Sequence, residues 1–200
     1  MNLQALARQA YTEAAARRPY RLMIACTLGI VFSVMFPTDL ASYRTAPATH
    51  NLLVDGTDRY GRYLATAVQI ALPIVYRDPV GMMQNLFVGL GTTALTHGLK
   101  HLVNGLTIWD ARLGERPSGP GSRHNMPSGH SSMASCAVWF VGRRYGWRWG
   151  LLIAPIMLLT MFARVELHAH TIAAVMAGVA IGVLAAAWFT SRRSLDASDR

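Results

Sequence analysis

An all-α integral membrane bundle of six transmembrane helices with an N-terminal interfacial helix is expected from three features of the chain. Apolar residues make up 52% of its 200 residues and charged residues only 14%. The charges are clustered, leaving runs without Asp, Glu, Lys or Arg at 22–38, 63–76, 79–99, 125–142, 149–163 and 171–191. A helix rises about 1.5 Å per residue, so roughly 20 residues cross a ~30 Å hydrocarbon layer. The third and sixth runs reach that length. The second and fifth are shorter, and Arg62, Arg77, Arg148 and Arg164 flank them in positions from which they could snorkel toward headgroups.

Residues 1–20 form an amphipathic segment in this reading, 21–191 the six-span domain and 192–200 a cytoplasmic tail. Leu3, Leu6, Ala7, Ala10, Tyr11 and Ala14 recur at helical spacing, with Arg8, Arg17 and Arg18 elsewhere, as in a helix lying on a membrane surface. Alanine-rich sequence also forms helix on propensity alone. Arg17-Arg18 followed by an apolar run resembles a signal peptide. However, the polar lead is long and Pro47 interrupts the small-residue site, so the segment is kept as the first span. Residues 39–62 and 100–126 read as two long loops, the second broken by Gly114, Pro117, Gly119, Pro120 and Gly121.

A net charge of +9 raises nucleic-acid binding, but the basic residues sit at span ends without interleaved aromatics, which suits anionic lipid headgroups instead. No nucleic-acid partner is expected, and the bilayer itself is the expected surround. Cys26 and Cys136 both fall in apolar runs and read as small packing residues. With six spans the termini share one side, together with Arg77 and the Arg143-Arg144-Arg148 turn. Short basic loops face the cytoplasm. The 100–130 and 164–170 segments then both land on the periplasmic or external face of a bacterial inner membrane. That convergence is independent of any motif.

Those two segments hold the reactive residues. Lys100 is the chain's lysine, Pro127-Ser128-Gly129-His130 opens the fourth run, and Arg164 stands six residues before His170. Cleaving a phosphate ester requires stabilising three charged equatorial oxygens while one group attacks and an alkoxide leaves. Arginine grips phosphate oxygens in pairs, and lysine adds a point charge. The Ser128 hydroxyl and the amides of Gly129 and His130, at a helix start, offer further donors. One imidazole can attack phosphorus while the other protonates the departing oxygen.

In these residues the chain resembles the type 2 phosphatidic acid phosphatase superfamily, in its membrane lipid phosphatase branch. That pattern runs lysine and Arg-Pro, then Pro-Ser-Gly-His, then Ser-Arg, five residues, His, three residues and Asp. Lys100 with Arg116-Pro117, then Pro127–His130, then Arg164 and His170 match it in order. The resemblance implies a metal-independent lipid phosphatase with His170 as nucleophile and His130 as acid, then base. It also implies Lys100, Arg116, Ser128, Gly129 and Arg164 as phosphate holders, a membrane lipid phosphate as substrate, and no cofactor. Undecaprenyl pyrophosphate, phosphatidylglycerol phosphate, phosphatidate and lipid A 1-phosphate are the candidate substrates. A phosphotransferase using the same site and a catalytically degenerate lipid-phosphate binder are the alternatives.

Three departures mark the chain. Fifteen residues separate Lys100 from Arg116 where the family has six, and Arg112 is an alternative ligand within that stretch. Ala163 replaces the serine before Arg164, and Ala174 stands where the family places its aspartate. That carboxylate would fix the tautomer of the nucleophilic histidine. Glu166, four residues before His170, is the candidate substitute, with simple pairing to Arg164 or Arg123 as its other reading. His97 and His101 share a helix face as a metal pair would. They lack an HExxH context and a nearby carboxylate, so no metal is expected.

Overall fold

The computed structural model describes residues 2–45, 47–119 and 121–193, without the side chains of Ser42, Arg44 and Arg62. The Arg62 anchor and residues 194–200 of the expected tail therefore lie outside the described residues. The described chain is mainly helical: α1 (Leu3–Ala16), α2 (Tyr20–Met35), α3 (Ala41–Arg44), α4 (Leu52–Arg59), α5 (Leu64–Val75), α6 (Pro79–Val103), α7 (Gly129–Tyr145), α8 (Trp147–Glu166) and α9 (Ile172–Phe189). A two-residue antiparallel ribbon, β1 (Thr107–Ile108) with β2 (Ala111–Arg112), lies between α6 and α7.

Two helices, α8 and α9, are long and apolar enough on their own to cross a membrane. A third span arises if α1 and α2, bent by 87° at their junction, are counted as one. The remaining expected spans are shorter or more polar. The second is the clearest shortfall: α5 has 12 residues, about 18 Å of rise, and carries Pro73 inside it. The 39–62 and 100–126 loops also differ from expectation. The first folds into α3 and α4, and α6 continues to Val103, so Lys100 stands in its last turn.

α1 packs against the rest of the fold. Ala10 and Ala14 are fully buried, and Ala10 packs with Val80 and Met83 of α6, flanked by Leu6, Ala7 and Phe87. Gln84 Nε2 donates to the Ala10 carbonyl at 2.9 Å. Nearby, Arg144 Nε and Nη2 each donate to an oxygen of Asp78 at 2.7 Å, and the two side chains are 3% and 5% exposed. The Tyr145 hydroxyl donates to the same carboxylate at 2.9 Å. This buried polar lock joins the start of α6 to the end of α7, and Ser191, just past α9, bonds to Gln84 and Arg144 of the same cluster.

The opposite end is set by how α7 and α9 approach each other. Ala174, Gly178, Gly182 and Ala186 recur every fourth residue and line one face of α9. A Cβ on Gly178 would lie 2.4 Å from the Ser128 carbonyl oxygen, and one on Gly182 2.1 Å from that of Ser132. Contact is therefore backbone to backbone, which fixes the start of α7 beside the start of α9. Gly182→Val is expected to lower thermal stability in detergent by about 1–3 kcal/mol or more through overpacking, with loss of activity. A variant with an unchanged melting midpoint would show that the two helices are not held this closely.

Candidate active site

One cavity at that end of the bundle, of about 350 Å³, is lined by residues from three helices, the loop before α7 and the turn before α9. Lys100 reaches it from the end of α6, Gly129 and His130 from the start of α7, Arg164 from the end of α8, His170 from just before α9, and Arg116 from the loop. Residues far apart in sequence meet because successive helices run in opposite directions and present alternate ends. Thr92, Thr93, Thr96, His97, Ser132 and Met133 complete the lining. Thr96 and Ser132 share a hydrogen bond of 2.9 Å across the α6–α7 contact.

Three cations line this cavity with no carboxylate among the described lining residues, so the site is electropositive. Burial and the Arg164 charge hold the Arg116 guanidinium below its ordinary pKa. Arg116 is aimed by its own loop, with Nε donating to the Arg123 carbonyl at 3.0 Å and its amide to Ser122 Oγ at 2.7 Å. Lys100 Nζ donates to the His124 carbonyl at 3.3 Å. Arg164 Nη1 is paired with Asp58 of α4, while its Nε is buried with no hydrogen-bond partner among the described residues. Arg164 is thus a buried pocket residue, 8% exposed, rather than a snorkelling anchor.

His170 is 2% exposed, and its Nδ1 lies 2.7 Å from the backbone carbonyl oxygen of Asn125. A carbonyl only accepts, so Nδ1 carries the hydrogen and Nε2 keeps its lone pair. Asn125 also clamps the start of α9: its Oδ1 accepts from the Thr171 amide at 3.1 Å, and its Nδ2 donates to Thr171 Oγ1 at 3.2 Å. Burial, followed by the charges of Arg164, Lys100 and Arg116, pushes the His170 pKa well below its ordinary value. The Asn125 hydrogen bond opposes that shift without reversing it. The carbonyl contact thus fixes the His170 tautomer, and the lowered pKa favours its neutral form.

Three expected site residues lie elsewhere. Glu166 does not line the cavity, and the hydrogen bond expected of it on His170 is made by the Asn125 carbonyl. Glu166 instead ends α8, where its own carbonyl accepts from the Thr49 amide at 2.9 Å. Arg112 is held by β2, donates to the Asn104 carbonyl at 3.4 Å, and lines a separate cleft with Asp39, Asp110 and Glu115. Of the two alternatives, Arg116 is the one at the cavity. Ser128 is fully buried, and its hydroxyl caps α7, accepting from the Ser131 amide and hydroxyl at 3.4 and 3.0 Å. It shapes the helix start rather than lining the cavity.

Ala174 has a structural reason. It is fully buried in the small-residue face of α9, and its carbonyl accepts from the Ser128 amide at 2.8 Å. An aspartate there would wedge a charged side chain into the α7–α9 contact. Asp58 and Asn125 are the pocket partners that sequence reasoning missed. Asn125 lies two residues before the Pro-Ser-Gly-His run, whereas Asp58 has no spacing relation to either motif.

Comparisons with known proteins identify the family. Residues 82–195 match the PAP2 superfamily, a segment that contains the whole cavity lining. A protein named lipid A 1-phosphatase from Helicobacter pylori strain J99 is 38% identical over 194 residues, 96% of this chain and 98% of that one. The lipid A 4'-phosphatase of the same strain is 36% identical over 121 residues, 60% of this chain and 61% of that one. The crystal structure of a transmembrane PAP2-type phosphatidylglycerolphosphate phosphatase from Bacillus subtilis aligns with a TM-score of 0.48 at 18% identity, covering 90% of both chains. With more than half of its length matched, and near full-length similarity to a curated relative, the chain belongs to the PAP2 superfamily.

Proposed function

We propose that the chain is a metal-independent phosphatase of membrane lipid phosphates that works through a phosphohistidine on His170. The carrying observation is a neutral, tautomer-fixed imidazole in a cavity with three cations and a helix start. The lipid A 1-phosphatase relatives, similar over nearly the full chain, make the 1-phosphate of a lipid A-type glycolipid the first substrate to try.

In this mechanism Lys100, Arg116 and Arg164 hold the phosphate oxygens, with the Gly129 amide region at the positive end of α7. His170 Nε2 attacks phosphorus, an N–P bond forms, and the P–O bond to the lipid breaks. His130, protonated at the start, gives its proton to the departing oxygen. Water then attacks phosphorus and loses a proton to His130, and the N–P bond breaks to release inorganic phosphate. The Asn125 carbonyl does the orienting that the family's aspartate would do.

α2 and α5 to α9 are the six spans in this reading, with short α5 reaching the interface through its flanking turns. The Arg143-Arg144-Arg148 turn is cytoplasmic and the cavity opens on the far face of a bacterial inner membrane. Purified chain in detergent should release phosphate from a panel of lipid phosphates in the presence of EDTA. Absence of release from every one of them would end the reading.

The lowered His170 pKa sets a pH dependence. Because His170 must be neutral to attack, its protonation defines an acid limb of kcat/KM. A depressed pKa moves that limb to lower pH, so kcat/KM should not fall on account of this group until well below pH 6.5. An acid limb at or above pH 6.5 that disappears in no other variant would contradict the assignment.

A further inference from the structure

The segment from Thr38 to Arg59 binds, point by point, the hairpin that carries Arg164 and His170. Thr38 Oγ1 accepts from the Ala173 amide at 2.9 Å, and the Tyr43 hydroxyl accepts from the Ile172 amide at 3.2 Å. The Tyr43 ring meets His168 edge-on at 5.3 Å. The Thr49 amide donates to the Glu166 carbonyl at 2.9 Å, and Asp58 pairs with Arg164 Nη1. The strap is anchored at α4, where Asn51 caps the helix by accepting from the Val54 amide at 2.9 Å and Val54 is 1% exposed.

A guanidinium has two forked edges. With Nη1 held by Asp58, the edge formed by Nε and Nη2 remains for ligand oxygens, and Nε is buried without a hydrogen-bond partner among the described residues. From this geometry, and resting on the phosphatase reading, we infer that Asp58 is a positioning residue that turns the Nε/Nη2 edge of Arg164 toward the transferring phosphoryl group. Asp58 acts through Arg164 rather than on the substrate. Its side chain, 27% exposed, ties the electrophilic end of the site to the 38–59 strap. Displacing a charge clamp by about 1 Å can cost on the order of 10²-fold in rate, and such a clamp acts mainly on charge that builds up in the transition state.

A double-mutant cycle on the full chain tests this. Asp58→Asn should lower kcat by about 10- to 100-fold with KM changed less than about threefold. Asp58→Glu should recover part of the loss. The double variant with Arg164→Gln should be no slower than Arg164→Gln alone, because the two residues act as one unit. Orthovanadate binding, read as a rise in thermal midpoint, should shrink in Asp58→Asn and vanish in Arg164→Gln. Wild-type kcat in Asp58→Asn, or losses that multiply in the double variant, would overturn the inference. If the wild type releases no phosphate at all, the phosphatase reading fails, and the orthovanadate cycle still decides the role of Asp58.

Discussion

His170→Ala is expected to reduce phosphate release from the lipid substrate by about 10⁴-fold or more, the scale seen when a nucleophile that acts with its base is removed. The expectation follows from its environment. The ring is 2% exposed, its Nδ1 hydrogen is committed to the Asn125 carbonyl, and three cations bias it toward the neutral form. His130→Ala should behave differently. An ester whose leaving group needs no proton, such as p-nitrophenyl phosphate, should still phosphorylate His170, and the phosphoenzyme should accumulate because water has lost its base. Acid-labile phosphate on the protein, present in His130→Ala and absent in His170→Ala, is the measurement. Phosphate release by His170→Ala above about a tenth of wild type would remove it as nucleophile.

Arg144→Met should cost about 3–5 kcal/mol of stability, because it strands the buried Asp78 carboxylate. Burial alone would raise the Asp78 pKa, but the Arg144 hydrogen bonds and charge, with the Gly81 amide and Tyr145, outweigh it and hold the carboxyl below 3.8. The stabilisation is therefore present above about pH 4 and fades as pH falls through the lowered value. Arg144 also donates to Ser191 Oγ at 3.0 Å, so the variant should loosen the end of α9. Asp78 and Lys100 bound α6 at its two ends, roughly 33 Å apart along the axis. Activity per folded molecule should therefore stay near wild type while the detergent melting midpoint drops. Replacing Asp78 by leucine in the same chain should restore part of the loss, since the uncompensated charge is gone.

The helical class and the order of the apolar segments were legible in the sequence, because those depend on run length. Pro127–His130 read correctly as a helix start, and Lys100, Arg116, Gly129, His130, Arg164 and His170 share one cavity. The expected role of Ser128 in that cavity was not met, since capping its own helix uses the hydroxyl inward. Glu166 was a reasonable candidate for orienting His170 by spacing. Local turn geometry instead carries His170 to a backbone carbonyl, and backbone acceptors leave no trace in residue type. Arg112 and Arg116 could not be ranked in sequence, because Arg112 ends a two-residue ribbon and a turn at Leu113-Gly114 redirects the chain before Arg116.

The sequence by itself determined which groups the chain has available and on which end of the bundle they fall. Periodicity and charge placement are one-dimensional properties, and the alternation of successive helices converts them into ends of the bundle. Only the tertiary structure decided who orients whom: Asn125 on His170, Asp58 on Arg164, and Ala174 beneath the Ser128 amide. Those choices depend on angstrom-scale approach of backbones, set by the Gly178 and Gly182 contact between α7 and α9. Hydrogen bonds reward distances and angles that no linear spacing encodes.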